Sequence, residues 1–450
     1  MAIWIKNPLG IFADDGVDAG GGLIVDDAVI TELVPAGREP SSTFSRWLDA
    51  SDHVIVPGLI NTHHHYYQTL TRGFGATAEN DPVPWRMIRD PIWARLRPSD
   101  VRLAAKLTMC ELLLSGCTTS VNHHDVFPKG LKHAIDIEAE VATDLQMRAV
   151  FARGSMNLSI KDGSLPPDDI VQDNWAILTD SERLVKKHNL LGDRSGAMIE
   201  IVLAPCSPLL VSSELMRATA VMAEHLECRL HTQFAETDDE DRLFKERFRL
   251  SPLDYLEEHG WLSDKTWIAH GVHFSDSDIR RFAAAGTAIA FCPTAHWVRG
   301  SYPSWVNDAM ASGVPIGLAV RSSAANASSN LMREVRLVLK HHGLSRGRVA
   351  LTHREAFRLA TEGSARCLAR ADIGKIAVGK QADLAFFKLN EQRCSAGSDP
   401  VTNLILSEES HADRVMVAGR WLVENGQLSN VDLPKLKEAR NKAARRLSLT

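Results

Sequence analysis

His63 and His65 close the apolar run Val56-Pro57-Gly58-Leu59-Ile60-Asn61-Thr62, and they are the clearest chemistry-bearing pair in the chain. Alternate side chains of a strand share a face, so the two imidazoles point the same way from adjacent rungs. Two imidazoles so spaced can hold one divalent ion, but a complete site takes further ligands from elsewhere. Other apolar runs also end in polar residues: Leu230-His231-Thr232-Gln233-Phe234-Ala235-Glu236, Ile268-Ala269-His270 and Leu318-Ala319-Val320-Arg321. A carboxylate, an imidazole and a guanidinium brought together can move a proton, orient a ring and stabilise developing negative charge. His231 shares a face with Gln233 one rung deeper; it reads as a hydrogen-bonded interior histidine, with a displaced ligand as the alternative.

These residues need elements to position them. Strand candidates lie near 54–63, 118–123, 147–153, 198–204, 228–234, 266–271, 287–292 and 315–321, each followed by room for a helix. Ser99 to Ser115 is one such helix, with Leu103, Leu107, Cys110 and Leu114 on one face. Eight strand–helix units in series predict an α/β fold, a closed (β/α)8 TIM-like barrel whose chemistry sits at the C-terminal strand ends. A doubly wound open sheet is the alternative, but no Gly-rich dinucleotide loop follows the first strand. Short apolar runs broken by turns at both chain ends predict one small β-sandwich domain. The expected organisation is 1–56 and 371–430 for that domain, 57–370 for the barrel and 431–450 for a terminal helix.

Composition narrows the function classes. The chain has 450 residues, 44% hydrophobic and 24% charged, as in a folded globular protein rather than a disordered one. A formal net charge of −5 gives no reason to expect nucleic acid. No apolar run is long enough to span a membrane, and the start lacks a charged segment followed by an apolar one. The seven cysteines are scattered singly with no CxxC, which fits buried thiols in a reducing, cytoplasmic setting. A homodimer is the default expectation for a barrel of this size.

Long motifs carry a family likeness. PGLINTHHHYYQTLTRGF at 57–74, SGCTTSVNHHDVFPKG at 115–130, RGSMNLSIKDGSLPPDDIVQD at 153–173, LAPCSP at 203–208, GKIAVGKQADLAFF at 374–387 and DRVMVAGRWLV at 413–423 together run through nearly the whole chain. The set resembles the amidohydrolase superfamily, in particular its nucleobase and triazine deaminase branch. The resemblance implies a hydrolase acting on a purine-like or other electron-poor nitrogen heterocycle. In that family strand one supplies HxH, strand five a His three residues before a Glu, strand six a His and strand eight an Asp. His63, His65, Glu236 and His270 match. Gln233 stands where the strand-five His belongs, and Arg321 where the Asp belongs. The run from Arg321 to Ala327 replaces a pattern like DGSASND, and Phe291 to Trp297 replaces one like HCPTSNM.

A guanidinium about 4 Å from a divalent ion costs about 8 kcal/mol at an effective dielectric of 20, and arginine cannot shed its proton to relieve it. The expectation is therefore a pocket without the usual catalytic metal, His63 and His65 surviving as residual ligand positions. Zinc is the cofactor if a rearranged ligand set exists, and a heterocycle-binding pseudoenzyme is the third reading. Catalysis is assigned to Glu236, His270 and Arg321. Substrate contacts are expected from His63, His65, Gln68, Trp85, Arg153, Gln233, His296 and Ser323. His123 and His124 are read as pocket or supporting groups.

Overall fold

The computed structural model describes residues 1–74, 82–190, 192–237, 239–298, 300, 303–323, 328–342, 351–389, 398–408 and 411–448, without the side chains of 82–85 and 341–342. Eight strands form one all-parallel sheet in sequence order. They are β1 (Leu59–Asn61), β2 (Cys117–His124), β3 (Arg148–Ser155), β4 (Ile199–Pro205), β5 (Leu230–Phe234), β6 (Thr266–His270), β7 (Ala288–Phe291) and β8 (Ile316–Leu318). First and last strands meet. The Thr62 amide donates to the Leu318 carbonyl at 3.0 Å, Arg321 N–H to His63 O at 3.2 Å and His65 N–H to Arg321 O at 3.0 Å. Asn61 secures the seam, donating to Ser120 Oγ at 3.0 Å and accepting from the Val320 amide at 2.9 Å.

The two-residue period sorts the side chains into layers. Val150 and Ala152, Val202 and Ala204, Trp267 and Ala269, Ala288 and Ala290 share one buried cluster inside the barrel. The residues between them, such as Ala149, Phe151, Ile201, Leu203, Ile289 and Phe291, pack instead with the helices. Those helices include α1 (Pro82–Trp93), α2 (Pro98–Leu114), α3 (Ala134–Leu145), α4 (Asn174–His188), α5 (Ser213–His225) and α6 (Glu240–Phe248).

The run at 54–63 is not one strand. Gly58 divides it, and His53–Pro57 pairs antiparallel with Leu384–Lys388 in a sheet outside the barrel. A side chain at Gly58 would collide with Thr118, so only glycine lets the chain pass from one sheet to the other. A six-stranded sheet therefore combines both chain ends, and a four-stranded sheet comes from the first 49 residues. The last helix spans Leu433–Ser448. Six of the cysteines are buried and free; Cys394 lies outside the described residues. Among the described residues no helix is long and apolar enough to cross a membrane.

Candidate active site

The strand ends bring a group of imidazoles together. His63 and His65 do share a face, their rings 4.8 Å apart, while His64 turns away to Ser329 Oγ at 3.1 Å. His123, at the inward-facing end of β2, stacks on His65 at 5.3 Å and lies 5.7 Å from His63. His63, His65 and His123 each offer a ligand atom, all within 4.8 Å of one another. His123, expected as a pocket or supporting group, thus stands beside His63 and His65, because inward-facing β2 residues reach the same axis as those of β1. His124, one residue on, faces outward and donates from Nδ1 to Glu138 on α3 at 2.9 Å. His231 is the hydrogen-bonded interior residue, its Nδ1 donating to the Trp267 carbonyl at 3.0 Å and its Nε2 facing His63 Nδ1 at 2.8 Å.

Glu236, His270 and Arg321 form a second group. Glu236 Oε1 lies 3.6 Å from His270 Nε2 and 2.8 Å from Arg321 Nη2. The His270 ring is 5.6 Å from His63 and 5.8 Å from His296, so the two groups adjoin. Ala235 (φ 50°), His270 (φ 81°) and Arg321 (φ 63°) all adopt the left-handed backbone region. That conformation costs non-glycine residues about 1 kcal/mol or more each, and here it turns the chain at the ends of β5, β6 and β8. Glu240, at the start of α6, accepts from the amides of Ala235, Glu236 and Thr237 at 2.8, 2.7 and 3.3 Å. Burial, with the neighbouring Glu236 charge, pushes its carboxyl up to about 7 against those three bonds. Sequence reasoning missed this residue, whose only signal is its place four positions after Glu236.

Two of the family's ligand positions, on strands five and eight, carry other groups: Gln233 and Arg321. Gln233 faces inward but turns its amide to Cys206 Sγ at 3.4 Å, and the Cys206 thiol donates to Asp125 Oδ2 at 2.9 Å. Burial pushes that thiol well up, so it stays protonated. Tyr67 donates to the other Asp125 oxygen at 2.8 Å, and Gln68 donates to Tyr67 Oη at 3.4 Å. Burial opposes ionisation of Asp125, but the His65 ring N–H, 3.5 Å away, and the Arg86 guanidinium outweigh it and hold the carboxyl well below its usual range.

Two expected substrate contacts are committed elsewhere. Arg153 occupies an outward position of β3, where it binds Asp180 on α4 at 3.1 Å, Gln172 at 2.9 Å and its neighbour's carbonyl. The period that puts Ala152 inside puts Arg153 among the helices. Ser323 Oγ is bonded to Thr69 Oγ1 at 2.6 Å, fastening the turn after β8 to the segment after β1. The Trp85 side chain and residues 324–327 lie outside the described residues.

A parallel eight-stranded barrel with histidines at its first strand end, an acid after strand five and a histidine at strand six defines a class, and the chain belongs to the amidohydrolase family, whose model matches residues 54–422. Within it, the chain is 48% identical to 8-oxoguanine deaminase of Pseudomonas aeruginosa over 441 residues, 98% of each chain. It is 31% identical to hydroxydechloroatrazine ethylaminohydrolase of Pseudomonas sp. (strain ADP), covering 87% of this chain and 82% of that one. Among solved structures, a triazine hydrolase from Arthrobacter aurescens superposes with a TM-score of 0.91 at 29% identity, covering 98% and 99% of the two chains. Atrazine chlorohydrolase TrzN of Arthrobacter aurescens TC1, complexed with zinc, gives 0.87 at 28% identity with the same coverage. That zinc, with the three-imidazole cluster, withdraws support from the expectation of a pocket built for no metal.

Proposed function

We propose that this chain is a hydrolytic deaminase of an electron-poor nitrogen heterocycle, with a purine-like ring of the 8-oxoguanine kind as first candidate. The observation that carries the reading is 48% identity over nearly the full length of both chains, joined to a carboxylate and an imidazole 3.6 Å apart at the strand ends. In the reaction, water adds to the ring carbon that bears the amino group, forming a C–O bond. The C–N bond then breaks and ammonia leaves. Glu236 takes the water's proton and returns it to the departing nitrogen. His270 hydrogen-bonds the ring and orients it. Arg321, 2.8 Å from Glu236, fixes that carboxylate and offers positive charge to an anionic ring. Gln68, Gln233 and His296 complete the proposed substrate surface. A bound divalent ion would supply a water of lowered pKa.

The Arg321–Glu236 contact also favours a second reading, in which the guanidinium serves as the only cation and no metal takes part. Such a site adds water to an activated ring or displaces a good leaving group, but has little power over an unactivated amide. Buried free thiols support a reducing, cytoplasmic setting, and the default for large barrels supports a homodimer.

The test is turnover of 8-oxoguanine, isocytosine-like rings and amino- or chloro-triazines by native protein and Glu236→Gln. Glu236→Gln should lose about 10²–10⁴-fold in turnover while ligand affinity stays within about tenfold. Turnover that survives a strong chelator supports the metal-free reading. Tight binding of one ring with no turnover of any would replace both by a pseudoenzyme.

A further inference from the structure

We propose that the chain binds one zinc-type divalent ion at His63, His65 and His123, displaced across the barrel from the ligand positions on strands five and eight. The inference stands on imidazole geometry alone and requires no particular substrate.

Hydrogen-bond partners fix the tautomers. A carbonyl only accepts, so His231 Nδ1 carries the proton that it gives Trp267. Neutral His231 then presents a lone pair at Nε2, and His63 must donate to it from Nδ1 at 2.8 Å. By the same argument His65 Nδ1 donates to the His123 carbonyl at 2.8 Å, and His123 Nε2 donates to the Ala204 carbonyl at 3.0 Å. Each of the three rings therefore has one nitrogen tied as a donor and one lone pair left: His63 Nε2, His65 Nε2 and His123 Nδ1. This is the arrangement by which outer partners orient metal-bound imidazoles.

Two of those lone pairs, on His63 Nε2 and His123 Nδ1, are buried and meet no donor among the described residues. A buried acceptor left so is costly, and it indicates a missing partner. One ring nitrogen from each of the three histidines lies within 4.8 Å of the other two. A tetrahedral ion with Zn–N bonds of about 2.0–2.1 Å needs them about 3.3 Å apart, within reach of small ring movements. Three neutral nitrogens select zinc, cobalt, nickel or copper over magnesium or calcium. The Asp125 carboxyl group, 3.5 Å from His65 Nδ1, lies behind the ligands as their acidic partner. Arg321, the cation that bars the family's own position, is held by Glu236.

The experiment uses the full chain, stripped with chelator and dialysed, then titrated with cobalt(II) and with zinc. Bound metal is measured by elemental analysis, cobalt by its visible absorption, and zinc binding also by the shift in melting temperature. Native protein should take up about one equivalent with the intense visible bands of a low-symmetry, four-coordinate site. His63→Ala and His123→Ala should each abolish uptake, whereas Gln233→Ala and Arg321→Met should keep it. His231→Ala, which only removes the support behind His63, should weaken binding by about 10–100-fold. If a ligand variant fails to fold, the His231→Ala and Gln233→Ala pair still decides the matter, because the family's position reverses their ranking. Folded native protein that takes up no metal and shows no zinc-dependent rise in melting temperature would overturn the proposal. So would full uptake by His123→Ala with loss in Gln233→Ala. No substrate enters these measurements, so failure here is separate from failure of the deaminase reading.

Discussion

Glu236 and Arg321 show how a substitution at one strand end changes the task of its neighbour. Where the family places a carboxylate at the end of β8, this chain places a guanidinium, and the acid after β5 becomes its ion-pair partner at 2.8 Å. Both side chains are mostly buried, 6% and 14% exposed, so neither charge is well solvated alone. Arg321→Met should therefore destabilise the protein by about 2–4 kcal/mol, because it removes the guanidinium from a mostly buried carboxylate. Adding Glu236→Gln to Arg321→Met should recover part of that loss. Denaturant unfolding of the native chain, both single variants and the double variant gives the coupling directly. Additive costs would mean that the pair does not interact.

At the scale of elements, the small sheet at the chain start holds a carboxylate whose charge organises a turn. Glu32, on the strand Val29–Val34, accepts from the Ser41 amide at 2.7 Å and the Ser42 amide at 2.8 Å. The Ser41 backbone bond, then the Ser42 hydroxyl, bring its carboxyl down from 4.5 to about 2. A depressed acid stabilises the fold above its unfolded value and loses that contribution as pH falls through its folded value. The contribution should thus be complete above pH 4.5 and vanish towards pH 2. Solvent access limits it to on the order of 1 kcal/mol. Glu32→Gln should flatten this part of the acid stability curve; an unchanged slope between those pH values would contradict the assignment.

Across the whole molecule, the barrel and the sheet built from both chain ends are fastened by buried charge. Arg148, at the start of β3, makes a two-pronged bond to Asp383 at 2.9 and 3.1 Å, both side chains almost wholly buried. Asp383 also accepts from the Ala418 amide at 2.8 Å, reaching the strand pair at the chain end. Asp383→Asn leaves a buried guanidinium short of its counter-charge, so stability should fall by about 3–5 kcal/mol. Because this buried pair and a shared hydrophobic core join the two parts, thermal unfolding should remain a single cooperative transition in the native protein. Two separated transitions in the native chain would show that the parts are energetically independent.

The local patterns in the sequence determined the eight strand–helix repeats, the sheet pieces at both ends and the placing of His63, His65, Glu236 and His270 at strand ends. Period two in the strands and amphipathic stretches between them are short-range properties, and they are fully written in the chain. The same period, followed strictly, already places Arg153 outside with the helices. What only the tertiary structure decided are contacts made by closing the barrel. His63 meets His231 across 168 residues, and Arg321 meets Glu236 across 85. The amide of Gln233 turns to Cys206, and His123 enters the imidazole cluster, because strands four and two stand beside five and one. Which ring nitrogen keeps its lone pair depends on carbonyls contributed by other strands. Tautomer and charge state at this site are therefore properties of the closed barrel, since the partners that set them are adjacent only in space.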